Sequence, residues 1–596
     1  MTDTTLDSGA MVATVAALPH AAGQRFGARL AARHLVDGEW RDVNYGDAAA
    51  AIEEIALGLI AAGVMPGDRV GVIANTRLEW TLSSYGISSA GGIVVPIYPT
   101  SSPRECEWVL GDSGARAVVC EDAAQAAKVR CVAAQLPLLE HVITIEAGTG
   151  ELTLDGLRRR GEEANSAIVA ERRAGVSPDD IYTIIYTSGT TGPPKGVVLT
   201  HRNAISVCQM VQELQFISPD EMTYLFLPLA HAYALTAQLA SYEIGTAIVY
   251  WGGDPNQIVP ELMATHPTYL PAVPRIFEKL YTAAMKMTEQ FDAGQRDRFE
   301  QAVRIGVEVR RRRDRGEEVP GEMAHAFQGA KETLYDRVSA LFGGSIAQAV
   351  TGAAPIAPEI LEFFYACGVP VLEGWGMTET TAVATVNRRD ALRFGTVGQP
   401  LPGVELRIAD DGEVLVRGPN VFREYWRNPQ ATAETLIDGW LHTGDLGSID
   451  EDGYLSITGR KKDIIITAGG KNLTPANIEN DLKQTRFISQ VVMHGDRRPY
   501  PVALVTLDAE EIVPWAREHG LPEDVAQLSR HADVIALVQA ELDRVNAGYA
   551  QVGQIKRFAI LHRDLTIEDG ELTPTLKVKR SVVNERHREL LDSLYE

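Results

Sequence analysis

The densest run of chemistry-bearing residues is Tyr186-Thr187-Ser188-Gly189-Thr190-Thr191-Gly192-Pro193-Pro194-Lys195-Gly196, set between the apolar runs 181–185 and 197–199. Such a loop between two strands presents backbone N–H groups, hydroxyls and one ammonium, the donor set that a phosphate chain needs. The residue order excludes an ordinary P-loop, which runs GxxxxGK[ST] into a helix; here Lys195 follows two prolines, precedes Gly196 and leads into a strand-like segment. A different phosphate clamp is expected. The cysteines offer no competing chemistry: Cys106, Cys120, Cys131, Cys208 and Cys367 include no CxxC pair and no companion histidines at metal spacing, so reduced, mostly buried thiols are expected.

Positioning such a loop takes a sizeable scaffold. The chain of 596 residues has room for about three or four domain-sized units. Hydrophobic residues at 45% and charged residues at 23% fit a folded globular protein. With 56 Lys+Arg against 79 Asp+Glu the net charge is −23, which disfavours generic attraction to nucleic acid, so an anionic ligand needs a local pocket. The apolar stretch 10–18 follows Asp3 and Asp7 without a Lys or Arg, so the basic region of a secretory signal is missing and a cytoplasmic protein is expected. The longest uncharged run, 80–103, is broken by Ser83, Ser84, Gly86, Gly91, Gly92, Pro96 and Pro99; it reads as buried helix, turn and strand rather than a membrane span.

Short β-branched clusters at 70–73, 92–97, 117–120 and 141–145 alternate with helical stretches at 48–62 and 123–134, the pattern of a mostly parallel α/β sheet. The alternation resumes over 203–249, 268–273 and 346–371, which predicts a second α/β layer in the same large domain. Residues 281–343 are polar and helix-prone, and Arg310 to Arg313 read as a solvated helix end. From Val404 the texture changes to short alternating segments, 405–408 and 413–417, with turns at Asp410-Asp411-Gly412 and Glu451-Asp452-Gly453. The expected architecture is α/β: an N-terminal domain, 1–459, of two α/β subdomains plus a small β-rich one, a junction at 460–463, and a small α+β C-terminal domain, 464–596.

Six further segments stand in order along the chain: Leu227-Pro228-Leu229-Ala230-His231, Thr351-Gly352-Ala353-Ala354-Pro355, Gly374-Trp375-Gly376-Met377-Thr378-Glu379-Thr380, Gly439-Trp440-Leu441-His442-Thr443-Gly444-Asp445, Gly459-Arg460-Lys461-Lys462-Asp463, and Leu572-Thr573-Pro574-Thr575-Leu576-Lys577. With the loop at 186–196 they make the chain resemble, over essentially its whole length, the adenylate-forming superfamily of acyl-CoA synthetases, luciferase-like enzymes and peptide-synthetase adenylation domains. The segment Pro267-Thr268-Tyr269-Leu270-Pro271-Ala272-Val273-Pro274-Arg275-Ile276-Phe277-Glu278-Lys279, and 95–100, are similar to bacterial long-chain-fatty-acid–CoA ligases in particular.

The resemblance implies residue roles. Thr187, Ser188, Gly189, Thr190, Thr191, Gly192, Gly352, Ala353, Ala354, Glu373, Gly374, Trp375, Gly376 and Thr378 are expected to bind ATP or AMP. Trp375 offers a plane for adenine, Thr378 a hydroxyl for the α-phosphate, and Glu379 with Thr190 oxygen ligands for Mg²⁺. Asp445 and Arg460 are expected at the ribose. Lys577 is expected to bridge the attacking carboxylate and the α-phosphate, with Lys195 on the triphosphate and His231 lining the carboxylate end of the acyl pocket. The family usually has Gly before that lysine, where Leu576 stands here. Lys462 matches a hinge, and Gly469, Gly470 and Lys471 a loop along the pantetheine tunnel.

The implied reaction is ATP-dependent activation of a long-chain fatty acid through an acyl-adenylate to acyl-CoA, releasing AMP and pyrophosphate, with no nucleic-acid partner. The alternatives are a fatty-acyl-AMP ligase that loads a carrier protein, and an aryl or medium-chain acyl-CoA ligase. Peripheral membrane contact is compatible with a lipid substrate. Leu235 stands where some bacterial long-chain enzymes carry a tunnel-gating Trp, so gating is left open, as is oligomeric state.

Overall fold

The computed structural model describes residues 12–146, 152–162, 165–187, 193–286, 292–468, 471–573 and 577–596. Among these, eight strands form one sheet in the order Glu424–Tyr425, Lys195–Thr200, Ile181–Thr187, Ile93–Ile97, Arg69–Ile73, Ala117–Cys120, His141–Thr144 and Leu152–Thr153. Pairing is parallel from Ile181–Thr187 onward, and the first two strands join antiparallel. The strands Ile93–Ile97 and Ala117–Cys120 are buried throughout, and their continuous apolar, Val- and Ile-rich sequences suit a parallel sheet covered on both faces.

Nine strands form the second sheet: Gln399–Pro400, Thr385–Val386, Val371–Trp375, Gln348–Thr351, Tyr269–Ala272, Met222–Leu225, Ala247–Tyr250, Leu30–Val36 and Glu39–Asn44. Helices Leu78–Ser89 and Ala232–Ile244 share one core cluster with strands of both sheets. Both are buried on nearly all sides, although Thr81, Ser83, Ser84, Ser88 and Ser89 are polar. Two of these hydroxyls are satisfied within the core, one locally and one across to the facing helix: Ser88 Oγ donates to Ser84 O, and Thr81 Oγ1 donates to Gln238 Oε1 at 2.6 Å. Residues 80–103 are thus helix, turn and strand, as the sequence suggests.

Arg310 to Arg313 follow expectation only in part: Arg313 is exposed at the helix end, while Arg310, Arg311 and Arg312 are half-buried. They end helix Ala293–Asp314, but Arg310 and Arg313 lie over the Phe327 ring, Arg311 lies over Phe394, and Arg310 Nε donates to Ala366 O. A guanidinium has a flat, weakly hydrated face, so a basic run can serve as packing material where aromatic rings meet it.

The β-rich subdomain pairs Glu405–Ile408, Glu413–Arg417, Trp440–Ile449 and Leu436–Ile437, with Leu455–Arg460 on the other edge of Trp440–Ile449. Gly412 and Gly453 turn the chain at φ 85° and 83°, where a side chain would be strained. The C-terminal part has its own core, built on strands Ile488–His494, Val502–Leu507 and Arg557–Ile560 and on helices Pro475–Lys483 and Ala532–Asn546. Four cysteines are buried and Cys131 is exposed. No described helix is long and apolar enough to cross a membrane.

Candidate active site

Asp445 and Arg460 face each other across an antiparallel pair, since register places Asp445 opposite Arg460. Arg460 Nε lies 2.8 Å from Asp445 Oδ1, and Trp375 Nε1 donates to Asp445 Oδ2 at 2.8 Å. The carboxylate is 7% exposed. Its Oδ1 nevertheless makes no well-directed hydrogen bond, because the guanidinium approaches off the bonding line. A buried acceptor left this way is costly, so a ligand hydroxyl that donates to it gains the missing bond.

Glu379 sits in the one-turn segment Thr378–Thr380 and is buried. Tyr425 Oη donates to Glu379 Oε1 at 2.7 Å, and Lys195 Nζ lies 5.1 Å from the centre of the Tyr425 ring. Burial, then the neighbouring carboxylate, raise the phenol far above its ordinary value, so Tyr425 remains a donor. Sequence reasoning did not single out Tyr425. Only the pairing of Tyr425 with Val197 on the edge of the eight-stranded sheet brings it to Lys195.

The backbone around Glu379 is strained. Thr381 and Ala382 hold φ of 51° and 80°, and Ala353 holds 69°, without being glycine. A Cβ at Gly376 would lie 2.2 Å from Ala382 O, so this turn leaves no room for a side chain there. Asn420 Nδ2 ties the turn down by donating to Val383 O at 2.9 Å. Gly352 follows the strand Gln348–Thr351 and lies close to Gly374, since an added Cβ would come within 3.1 Å of the Gly374 carbonyl. Beside them Glu373 is paired in register with Thr351, and burial raises its carboxyl to about 8.

His231 caps helix Ala232–Ile244 by accepting from Tyr233 N at Nδ1, 3.2 Å. Burial and then the charge of Lys577 lower it to about 4. It is therefore neutral at pH 7, with its proton on Nε2.

Lys577 reaches this group from the C-terminal part. Its backbone is tied to Thr573, with Lys577 N donating to Thr573 Oγ1 at 3.0 Å and Thr573 N donating to Lys577 O at 2.8 Å. Solvent still reaches the residue, yet burial of the ammonium and then the positive Arg460 hold it below its ordinary value, while Asp445 and Glu379 act in the opposite direction. Lys577 therefore stands within electrostatic reach of Arg460, Asp445, Glu379 and His231.

Thr187 stands opposite Lys195 at the mouth of the loop. Ser188, Gly189, Thr190, Thr191, Gly192, Gly469 and Gly470 lie outside the described residues. Lys462 is exposed in the short turn Lys461–Asp463, next to Lys461, whose ammonium meets Asp411 at 2.5 Å and Glu413 at 3.1 Å. Lys471 is exposed, and no hydrogen bond or ion pair among the described residues joins it to the cleft.

Residues 20–426 match the AMP-binding enzyme family, and residues 462–596 match the AMP-binding enzyme C-terminal domain. The long-chain-fatty-acid–CoA ligase FadD15 of Mycobacterium bovis is 39% identical over 94% of this chain and 94% of its own length. The peroxisomal long chain acyl-CoA synthetase 7 of Arabidopsis thaliana is 30% identical over 94% of this chain and 82% of its own. Among solved structures, the anthranilate CoA ligase AuaEII in complex with anthranoyl-AMP superposes with a TM-score of 0.74 at 20% identity, covering 98% of both chains. Through matches that span nearly its whole length, the chain belongs to the AMP-binding enzyme family, among the adenylate-forming acyl-CoA synthetases.

Proposed function

We propose that the chain activates a long-chain fatty acid with ATP, forming an acyl-adenylate and pyrophosphate, and then passes the acyl group to coenzyme A with release of AMP. The observation that supports this reading is the linked group Trp375–Asp445–Arg460 and Tyr425–Glu379 of the large domain, with Lys577 of the C-terminal part within electrostatic reach of it. In the first step a carboxylate oxygen attacks the α-phosphorus and the P–O bond to pyrophosphate breaks. Lys577 neutralises charge gathering on the α-phosphate and the incoming carboxylate, Lys195 does so along the triphosphate, and Asp445 accepts from a ribose hydroxyl. Neutral His231 bounds the pocket without presenting a second cation to the substrate carboxylate.

Magnesium fits this donor set. Glu379 Oε1 is occupied by Tyr425, its second oxygen makes no hydrogen bond among the described residues, and no described cluster of three or more His, Cys, Asp or Glu would form an all-protein cage. One carboxylate completed by phosphate oxygens and water is how Mg²⁺ is ordinarily held, and it would shield phosphate charge there. In the second step the thiol attacks the acyl carbon and AMP leaves, so Lys577 must give way. Residues 460–463 with Lys462 serve as the hinge between an N-terminal domain and a C-terminal domain from 464, and the loop at Gly469, Gly470 and Lys471 takes the place of Lys577.

Incubation with ATP, Mg²⁺, CoA and a mixture of short, medium, long and aryl carboxylic acids, read by mass spectrometry, tests the proposal. Long-chain acyl-CoA with AMP is the expected product. Adenylate without thioester would point to a carrier protein as acceptor, and aryl or medium-chain thioesters alone would overturn the substrate class.

A further inference from the structure

Helix Pro274–Lys286 is fixed to the large domain by Phe277, which is fully buried and packs against Phe342 and Phe364 at ring distances of 6.4 and 5.8 Å. Its outer face carries Arg275 and Lys279, one helical turn apart. Both meet acids of the C-terminal part: Arg275 Nη2 donates to Asp508 Oδ2 at 2.7 Å, and Lys279 Nζ donates to Glu510 Oε2 at 2.7 Å. Asp508 is the more buried acid, at 13% exposed, and it does two jobs at once. Its Oδ1 accepts from Glu510 N to cap helix Ala509–Glu518, while its Oδ2 takes the arginine. A second contact of opposite sense lies on the same seam, where Glu278 of the large domain and Lys483 of the C-terminal part influence each other's charge. The same residues line an open cleft of about 880 Å³ between the two parts, walled by mixed polar and apolar groups, so apolar packing does not seal this stretch of the interface.

We infer that Arg275, Lys279, Asp508 and Glu510 are positioning residues, an electrostatic latch that holds the C-terminal domain where Lys577 enters the cleft and that opens when the domain turns for the thioester step. The inference rests on the two-step reading above. A wet, charged contact suits a latch that must open on every turnover: ion pairs that leave the interface are rehydrated, whereas an apolar seam would expose its surface each time. The pairs form in the pose in which Lys577 faces Arg460 and Asp445, so on this inference they favour adenylation and contribute nothing to acyl transfer.

The test separates the half-reactions, using ATP–pyrophosphate exchange with palmitate for the first and transfer from prepared palmitoyl-adenylate to CoA for the second. Asp508→Asn keeps an oxygen for the helix cap while discarding the charge. It should slow exchange by about threefold to tenfold and leave transfer unchanged or faster. Lys279→Glu should slow exchange too, and adding Glu510→Lys should restore it. Exchange should also fall more steeply with salt than transfer does. A domain distance gives a readout independent of activity: spin labels at Ala326→Cys and Ala540→Cys in a Cys131→Ser background should show a second population in Asp508→Asn. Equal loss in both half-reactions, failure of the swap to restore exchange, or an unchanged distance with unchanged exchange would each overturn the latch. If the parent protein activates no acid, the functional reading fails, but the distance still reports whether the pairs hold the domain.

Discussion

On the large-domain side the candidate site groups are tied to one another: Asp445 to Trp375 and Arg460 at 2.8 Å, Glu379 to Tyr425 at 2.7 Å. On the C-terminal side Lys577 is positioned by hydrogen bonds of its backbone to Thr573 N and Thr573 Oγ1, and the surrounding part by ion pairs at partly exposed side chains. The first arrangement preorganises a cradle, so no reorganisation is needed when nucleotide enters. The second delivers a charge that can be withdrawn. On the proposed function, a reaction whose two steps need different neighbours for the same phosphate has use for both kinds of construction, and one step would fall to each side.

Removing the delivered charge should separate the steps most sharply. Lys577→Ala should slow ATP–pyrophosphate exchange by about a hundredfold to a thousandfold, the scale of losing one preorganised charge at a transferring phosphoryl group. It should leave acyl transfer from preformed adenylate to CoA nearly intact, and comparable loss in both steps would erase the contrast between the two sides. Damage to the cradle is graded. Glu379→Gln should cost exchange more than Tyr425→Phe, because the second removes one hydrogen bond, about 1 kcal/mol or roughly fivefold, and leaves the carboxylate in place. Titrating Mg²⁺ against both variants checks this, since Glu379→Gln alone should raise the magnesium requirement. Asp445→Asn should weaken ATP binding by about tenfold with little change in exchange rate at saturating ATP, measured as KM against kcat.

The smallest effect expected is none at all. His231 is lowered to about 4, so histidine-selective NMR should show no titration of its ring between pH 5 and 8, and a midpoint near its ordinary 6.5 would contradict the buried, lysine-facing placement. The sign follows from linkage: with its folded value below its unfolded one, His231 favours folding above about pH 6.5, and this contribution is lost as pH falls towards 4.

Much of this cleft was legible in the residues. Trp375, Glu379, Asp445, Arg460 and Lys577 each lie in a short segment whose composition or family resemblance marks it, whereas the strands of Trp375, Asp445 and Arg460 carry no β-branched run to announce them. Tyr425 was not legible, because its role depends on which distant strand Glu424–Tyr425 joins, and a two-residue strand has no periodicity to reveal that. Arg310 to Arg313 misled in part for a related reason, since a basic run looks solvated until the rings of Phe327 and Phe394 are seen above it. The pairs between Arg275 and Asp508 and between Lys279 and Glu510 were equally hidden, being made only when two separately folded parts meet.

The late return of Glu424–Tyr425 to the edge beside Lys195–Thr200 has a consequence for how the chain is made. As the polypeptide emerges, the eight-stranded sheet can form most of its pairs early, but its outer edge stays bare until residue 425 has been synthesised and has folded back past the whole second sheet. Until then the edge presents unpaired backbone to any passing strand, a template for mispairing on a nascent chain. Fragments that stop before residue 424 retain that edge permanently. They should aggregate where longer ones do not, and they would lack the tyrosine that holds Glu379 as well.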